Sequence, residues 1–392
     1  MHDNSAPIID PEFAQLSDLA VQHLEKAGGG AFCVYRGSDP VVDIWAGYRD
    51  PFSADPWTAD TMAMSWSTTK GLASAALHML AERGLVGYDD LVSTHWPEFA
   101  ANGKGSTTVR HVLSMQAGLY DIRGLIADPR QMLDHQSMAK SLAAAAPAHE
   151  PGSANGYHAF TYGWLIGELV QRIAGVTLGS FIATEIAQPL GLDGCYIGTP
   201  RSELARVATR PTLAPLKPAV RLAGKALNPV GRLIGVRLSA IAGAFIPRDG
   251  DQVIGTEEFL TAEVPSINGT FTARSLARLY AALGSDDGID GVKIWTPETR
   301  RAAAEQQTNR RDRILPLKMG WKLGYHRPFP RKMLAPTAFG FFGAYGSGGF
   351  ADPERQLAVG LVVQEAKGLP LPKLVKSLAQ TVNRPDARTI GT

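Results

Sequence analysis

A serine followed three residues later by a lysine is the clearest chemical signal in this sequence, and the pattern occurs twice. One copy is Ser67 with Lys70, and the other is Ser137 with Lys140. A serine hydroxyl is a poor nucleophile at neutral pH, but a neighbouring lysine can accept its proton if burial lowers the lysine pKa. The pattern therefore predicts acyl transfer through a covalent serine intermediate.

The surroundings of the two copies favour Ser67 as the nucleophile. Apolar residues recur at helical spacing after Ser67 until Arg83 and Gly84. A basic residue followed by glycine is typical of the end of a helix. A helix that begins at or beside Ser67 would place Lys70 on the same face, next to backbone N–H groups that no helical carbonyl uses. Ser137 lies in an Ala-rich amphipathic pattern, which we interpret as an ordinary surface helix.

A second proton carrier is expected, because the leaving group must be protonated. Tyr157 is the candidate, since it lies in a glycine-started turn that leads into a helical pattern. Nearby cationic charge would have to lower the tyrosine pKa from about 10 for the phenol to shuttle protons at neutral pH. His158 is adjacent, but consecutive side chains point apart, so we interpret it as a packed or exposed histidine.

Other catalytic classes are disfavoured by patterns that the sequence lacks. No serine has glycine at both i−2 and i+2, so the nucleophile elbow of the α/β-hydrolases is absent. The nine histidines show no metal-ligand spacing, and we expect neither a metal nor a cofactor. The glycine-rich segment 346–351 matches a loose dinucleotide fingerprint, but a strand pattern follows it where a helix would be required.

Composition limits the partners and the compartment. The formal net charge of +2 gives no electrostatic reason to expect nucleic acid as a partner. Two cysteines are too few for a disulfide framework, which fits a reducing compartment. The first 13 residues lack the pattern of a secretory signal, and no apolar stretch reaches the length of about 20 residues that spans a bilayer. We therefore expect a cytoplasmic protein.

The element pattern predicts an α+β fold, with strands near both ends and helices between them. We expect an antiparallel sheet, flanked by helices, from residues 1–85 together with 262–392. Residues 86–261 are expected to form an inserted, mostly helical domain. The strand-like runs are 31–35 and 41–45, which form a hairpin around a turn cluster, and 317–325, 337–341, 349–351 and 356–364.

Residues 205–247 form an unusual insertion within the helical part. The insertion contains seven basic residues, no acidic residue and several prolines, with apolar residues between them. One interpretation is an amphipathic cap that contacts lipid or admits an acyl chain, and the other is an irregular segment with a solvated basic face.

Several segments, in one order along the chain, resemble the serine β-lactamase-like superfamily of class C enzymes and penicillin-binding proteins. Within it, the chain is most similar to the family VIII carboxylesterases. The segments are 64–71 (MSWSTTKG), 108–114 (TVRHVLS) with 118–119, 156–164 (GYHAFTYGW), 265–269 with 272–274, and 339–353. The resemblance implies a β-lactamase/transpeptidase-like fold and a Ser-Lys-Tyr acyl-enzyme mechanism.

The resemblance also implies a role for each site residue. Ser67 would be the nucleophile, Lys70 the activating base and Tyr157 the acid/base shuttle. The backbone N–H groups of Ser67 and Ala344 would form the oxyanion hole. The expected substrate-binding positions are Ala159, Phe341, Phe342, Gly343 and Tyr345.

Two departures from the lactamase pattern favour an uncharged, apolar ester substrate. The pattern has asparagine two residues after the tyrosine, where Ala159 has no polar atom. It also has lysine at the position of Phe341, so the charge that would hold a lactam carboxylate is missing. A buried carboxylate without a partner is costly, which disfavours β-lactams here.

The sequence thus predicts a carboxylesterase for esters of short to medium acyl chains. The first alternative is a β-lactamase, DD-peptidase or amide hydrolase that uses the same site. The second is a non-catalytic relative whose insertion 205–247 binds a membrane or a partner protein.

Overall fold

A seven-stranded antiparallel sheet receives strands from both ends of the chain. The computed structural model describes residues 6–50, 52–209, 238–245, 247, 249–315, 317–328, 332–364 and 370–382. The order of the main path is β1-β3-β2-β10-β9-β8, with β4 paired to β3. These strands are β1 (Ile8–Ile9), β2 (Gly29–Arg36), β3 (Asp39–Asp50), β4 (Asp55–Pro56), β8 (Phe339–Phe342), β9 (Gly348–Asp352) and β10 (Leu357–Val363).

Strand β2 lies in the middle of this sheet. It forms the predicted hairpin with β3, with Ala31 opposite Trp45, and it pairs on its other side with β10, where Ala31 faces Val362. Its side chains alternate between two apolar layers, as the pleat of a strand requires. Phe32 and Val34 face one layer, whereas Ala31, Cys33 and Tyr35 face the other.

Helices cover both faces of the sheet, so its central strands are buried on each side. Helices α1 (Ala14–Lys26) and α13 (Pro370–Val382) pack together on the face of Phe32 and Val34. Helix α11 (Ala273–Gly284) packs on the other face against β2, β9 and β10. The helices are α1 (Ala14–Lys26), α2 (Thr69–Glu82), α3 (Val92–His95), α4 (Val109–Leu113), α5 (Ile122–Leu125), α6 (His135–Ala144), α7 (Thr161–Ala174), α8 (Leu178–Ile182), α9 (Leu238–Phe245), α10 (Glu257–Thr261), α11 (Ala273–Gly284), α12 (Pro297–Ala304) and α13 (Pro370–Val382).

A second, three-stranded sheet joins distant parts of the chain near the start of α2. Its order is β5 (Ala63–Met64), β7 (Thr270–Phe271) and β6 (Cys195–Tyr196). Strand β5 leads directly into the turn that carries Ser67, so this small sheet fixes the approach to α2.

The strand expected at 317–325 is absent from that stretch. The chain reverses there, because the N–H of Lys322 donates to the carbonyl of Tyr325, and Trp321 pairs with His326 in a single bridge. The Ala-rich helical pattern around Ser137 extends over 130–146, but the helix that forms there, α6, covers only His135–Ala144. Asp134 caps this helix, with its carboxylate accepting from the N–H groups of Gln136 and Ser137.

Most of the basic insertion lies outside the described residues, namely 210–237 and 246. Arg206, at its start, is held by Asp193 at 2.8 Å and Glu203 at 2.6 Å. In the described part of the chain, no single helix has the length and apolar composition to cross a bilayer, although α7 and residues 178–187 reach that length together across a 73° bend.

Helix α7 lies unusually close to the chain at Pro265 and Ser266. A Cβ atom on Gly163 would lie 2.2 Å from the carbonyl carbon of Pro265 and 2.3 Å from the nitrogen of Ser266. The N–H of Gly163 donates to the Ser266 hydroxyl at 2.7 Å. Only glycine at this position permits the contact without a shift of one backbone segment.

We therefore expect Gly163→Ala to lower the free energy of unfolding by about 1–3 kcal/mol, because the methyl group must displace packed backbone. Urea denaturation followed by circular dichroism measures this change. Gly105→Ala is the matched control, since its nearest atom lies 3.9 Å away, and its effect should stay within about 0.5 kcal/mol. Equal stabilities of the two variants would contradict the steric account.

Candidate active site

Ser67 lies in a 3-10 turn, Trp66–Thr68, that runs directly into α2. Trp66 has a φ of 50°, which is a left-handed backbone conformation that residues other than glycine rarely adopt. The hydroxyl of Thr69 donates to the carbonyl of Trp66 at 2.5 Å and accepts from the N–H of Gly269 at 2.9 Å. The segment at Gly269 thus stabilises the strained backbone of Trp66 through the hydroxyl of Thr69.

Lys70 lies one helical turn after Ser67 and is fully buried. Its Nζ lies 3.0 Å from Ser67 Oγ and donates to the carbonyls of Ala159 at 2.7 Å and Ser266 at 3.0 Å. Burial lowers the pKa of Lys70 well below its usual value, because the ammonium form loses its hydration. Among the described residues, no carboxylate forms an ion pair with it.

Tyr157 completes the arrangement from the irregular stretch that precedes α7. Its OH donates to Ser67 Oγ at 2.6 Å, and its ring lies 5.1 Å from Lys70 Nζ. Burial raises the pKa of Tyr157, and the charge of Asp312 raises it further. A pKa lowered by cationic charge, the condition stated for a proton-shuttling phenol, is not met here, because desolvation of the phenolate is the largest effect.

The two residues that follow Tyr157 differ in what they contact. His158 is fully buried, and its Nε2 accepts from the N–H of Leu119 at 3.0 Å. Burial lowers the pKa of His158 to about 3, so its ring is neutral at physiological pH. It is a packed histidine, one of the two forms expected. Ala159 contributes its backbone carbonyl, which holds Lys70.

The end of β8 packs directly on the turn that carries Ser67. A Cβ atom on Gly343 would lie 2.2 Å from the carbonyl oxygen of Ser65, so only glycine fits there. Ala344 follows in an exposed turn, and the ring of Tyr345 lies 5.3 Å from that of Trp66. The segment 339–353, the last of those that resemble the esterases, therefore lies beside the turn of Ser67.

Two adjacent phenylalanines of β8 point in opposite directions, as strand geometry requires. Phe341 is buried in the site, with its ring centroid 5.8 Å from Lys70 Nζ and 6.4 Å from that of Tyr157. Phe342 packs on the other layer, against Phe350 at 6.3 Å. The structure thus brings Phe341 beside Lys70 and Tyr157 and places Phe342 in the other apolar layer.

The second Ser-x-x-Lys copy lies in a different environment. Ser137 is in the first turn of α6, but Lys140 is exposed. Water therefore solvates the ammonium group, in contrast to the buried amine of Lys70. The structure supports the interpretation of this copy as an ordinary surface helix.

Several residues near the site were not found from the sequence. Ser266, which accepts from Lys70, lies in a segment that resembles the esterases, so that likeness was an available signal. Trp321 stacks on Tyr157 with the ring centroids 5.6 Å apart, and Phe245 of α9 lies 5.7 Å from the same ring. The described ranges contain no group of three or more His, Cys, Asp or Glu side chains placed to hold a metal ion.

Comparison with known proteins places this geometry in a family. The beta-lactamase family model matches residues 16–380 of the chain. Over 343 residues, the chain is 38% identical to the esterase/beta-lactamase LipL of Mycobacterium tuberculosis, covering 86% of this chain and 77% of that protein.

Solved structures show the same likeness over almost the whole chain. A family VIII carboxylesterase superposes with a TM-score of 0.84 at 30% identity, and a penicillin-binding protein homologue from Caulobacter crescentus with 0.82 at 33%. Both alignments cover 96% of this chain and 98% of the other. The α+β fold expected from the sequence is thereby confirmed, and the chain belongs to the beta-lactamase family as a serine β-lactamase-like hydrolase.

Proposed function

We propose that this protein is a carboxylesterase that cleaves esters of short to medium acyl chains through an acyl-enzyme on Ser67. The observation that carries the proposal is the position of Ser67 Oγ, which lies 3.0 Å from Lys70 Nζ and 2.6 Å from Tyr157 OH. A nucleophile within hydrogen-bond distance of a base and of a proton donor is the geometry that covalent acyl transfer requires.

Lys70 is proposed as the base that activates Ser67. A neutral amine has two N–H donors and one lone pair. The carbonyls of Ala159 and Ser266 use the two donors, so the lone pair is left to accept the Ser67 proton. Burial favours this neutral form, because it lowers the pKa of Lys70.

Tyr157 is proposed as the proton donor to the leaving alcohol. Burial raises its pKa, so the phenol keeps its proton at neutral pH and acts as an acid. After Ser67 attacks, the C–O bond to the alcohol breaks and the alkoxide takes the phenolic proton. The proton held by Lys70 then restores the phenol, and water hydrolyses the acyl-enzyme to release the acid.

The backbone N–H groups of Ser67 and Ala344 are proposed to stabilise the tetrahedral oxyanion. The close contact between Gly343 and Ser65 supports this role, because it brings the end of β8 against the turn of Ser67. One such donor is worth about 3 kcal/mol of barrier lowering. The side chain of Ala344 takes no part in that interaction.

Apolar groups around the site support an ester as the substrate. The side chain of Ala159 is a methyl group, and Phe341 presents a buried ring beside Lys70. Neither can pair with a buried carboxylate, which β-lactams carry. The family VIII carboxylesterase among the similar structures agrees with this preference. The name of LipL includes both esterase and beta-lactamase, so β-lactam hydrolysis is the second candidate.

Two partly exposed aromatic residues are proposed as walls of the substrate cleft. Phe245 is 37% exposed beside Tyr157, and Tyr345 is 38% exposed beside Trp66. Large apolar groups exposed next to a reactive serine suit an uncharged acyl or alcohol group. Phe245 ends α9, so the described end of the insertion contributes to this cleft.

The first prediction concerns the nucleophile. Ser67→Ala should abolish hydrolysis of p-nitrophenyl butyrate while circular dichroism stays unchanged, because no other hydroxyl takes its place. Ser137→Ala, in the second Ser-x-x-Lys copy, is the matched control and should keep wild-type activity. A chromogenic cephalosporin tested in parallel should be hydrolysed far more slowly than the ester.

Retained esterase activity in Ser67→Ala would exclude the proposed mechanism. Comparable rates on the cephalosporin and the ester would favour the β-lactamase alternative.

The second prediction concerns pH. The kcat/KM should fall as the pH decreases through the pKa of Lys70, because the protonated amine cannot accept a proton. The midpoint should lie well below about 10.4, the value of an exposed lysine. No fall due to Tyr157 is expected up to about pH 10, since burial raises its pKa. A profile measured between pH 5 and 10 that declines above pH 8 would contradict this assignment.

The third prediction concerns the cleft wall. Phe245→Ala should raise the ratio of kcat/KM for p-nitrophenyl octanoate to that for the butyrate by about tenfold, because removing the ring enlarges the apolar space beside Tyr157. Phe52→Ala, which removes a phenylalanine that is 82% exposed, is the control and should leave the ratio unchanged. An unchanged ratio in Phe245→Ala would show that the ring does not line the acyl site.

A further inference from the structure

A buried carboxylate lies behind Tyr157, outside the Ser-Lys-Tyr arrangement. Asp312 is 3% exposed and lies in the chain between α12 and β8. Its backbone forms an isolated parallel β-bridge with that of Asn155. The side chain of Asn155 is itself held, since its Nδ2 donates to the Ser114 carbonyl at 3.0 Å. The carboxylate therefore has a fixed position relative to the segment of Tyr157.

Four N–H groups donate to this carboxylate. Oδ1 accepts from the N–H groups of Tyr157 at 3.0 Å, Ile314 at 2.8 Å and Leu315 at 2.9 Å. Oδ2 accepts from Nε1 of Trp321 at 2.9 Å. Because every partner is a donor, the geometry fits the ionised form, although burial raises the pKa of Asp312.

Asp312 thus supports Tyr157 in two ways: it accepts from the Tyr157 backbone N–H, and it accepts from the indole N–H of Trp321, which stacks on the phenol. Trp321 is 1% exposed, and its indole is nearly parallel to the phenol, with an interplanar angle of 8° and centroids 5.6 Å apart. The same carboxylate that holds the backbone of Tyr157 therefore holds the ring on which the phenol stacks.

Such a support is needed because Tyr157 lies outside regular structure. Helix α6 ends at Ala144 and α7 begins at Thr161, so no ladder of backbone hydrogen bonds fixes the residue. A phenol that must transfer a proton has to stay within hydrogen-bond distance of its partners, and an error of about 1 Å costs about 100-fold in rate.

We propose that Asp312 and Trp321 are positioning residues that hold the phenol of Tyr157 against Ser67 for proton transfer to the leaving alcohol. This inference rests on the proposed esterase function. Neither residue contacts the reacting atoms. Their effect passes through the position of the phenol and through the negative charge behind it.

Few charged or titratable side chains surround the phenol of Tyr157 among the described residues. Lys70 lies over the ring on one side, and Asp312 lies behind the backbone. His158 is adjacent in the chain and neutral, and His326 contacts Trp321 edge-on, with the ring centroids 5.9 Å apart. Asp312 is the acidic group whose charge disfavours the tyrosinate form.

The test compares two butyrate esters that differ in their need for an acid. p-Nitrophenolate leaves without much help, whereas the ethoxide of ethyl butyrate needs a proton. Asp312→Asn and Trp321→Phe should lower kcat for ethyl butyrate about tenfold more than kcat for the p-nitrophenyl ester, with KM nearly unchanged. Trp321→Phe keeps an aromatic ring beside the phenol but removes the N–H donor together with part of the indole, so it serves if Asp312→Asn folds poorly.

Two further measurements separate positioning from stability. Trp295→Phe is the control, because it also removes one buried indole N–H, which donates to the Leu283 carbonyl at 2.9 Å. It should lower the melting temperature without changing the ratio of the two ester rates.

Equal losses on both esters, or the same ratio change in Trp295→Phe, would overturn the positioning role. Activity on both esters that persists in Ser67→Ala would instead overturn the proposed function, so the two failures are distinguishable.

Discussion

The removal of the Lys70 amine from water is the constraint on which the rest of the site depends. A buried ammonium without a carboxylate is unfavourable, so burial itself drives the amine towards its neutral form. The two carbonyls that hold it come from the chain before α7 and from the segment that Gly163 approaches closely. The packing of α7 against Ser266 is therefore part of the chemistry as well as of the fold.

The same low-polarity surroundings act on Tyr157 in the opposite direction. Desolvation disfavours a charged amine and a charged phenolate alike, so the pKa of Lys70 falls while that of Tyr157 rises. Their ordinary pKa values are nearly equal, and burial moves them apart, which suits the proposed roles of Lys70 as base and Tyr157 as acid. Burial thus disfavours charge on both groups, which suits the proposed neutral ester substrate better than an anionic one.

Local patterns revealed the parts of the site that are close together in sequence. The spacing of Ser67 and Lys70 follows from one helical turn, and the hairpin of β2 and β3 follows from two apolar runs around a turn. Trp321 lies in a run that the sequence pattern predicted as a strand, and Asp312 precedes that run. Their packing on Tyr157 is a tertiary contact that no local pattern encodes. The direction of the Tyr157 pKa shift is not encoded locally for a related reason, because it depends on how deeply the ring is buried.

The pairing of β2 with β10 has a consequence for how the chain folds. These strands are separated by more than 300 residues of sequence, and β2 is central in the sheet. During synthesis, one edge of the β2–β3 hairpin stays unpaired until residue 363 has left the ribosome. Contacts of such long range make folding slow, and an open apolar edge invites pairing with other chains. Yield in the cell therefore depends on protection of the nascent hairpin as well as on the stability of the finished sheet.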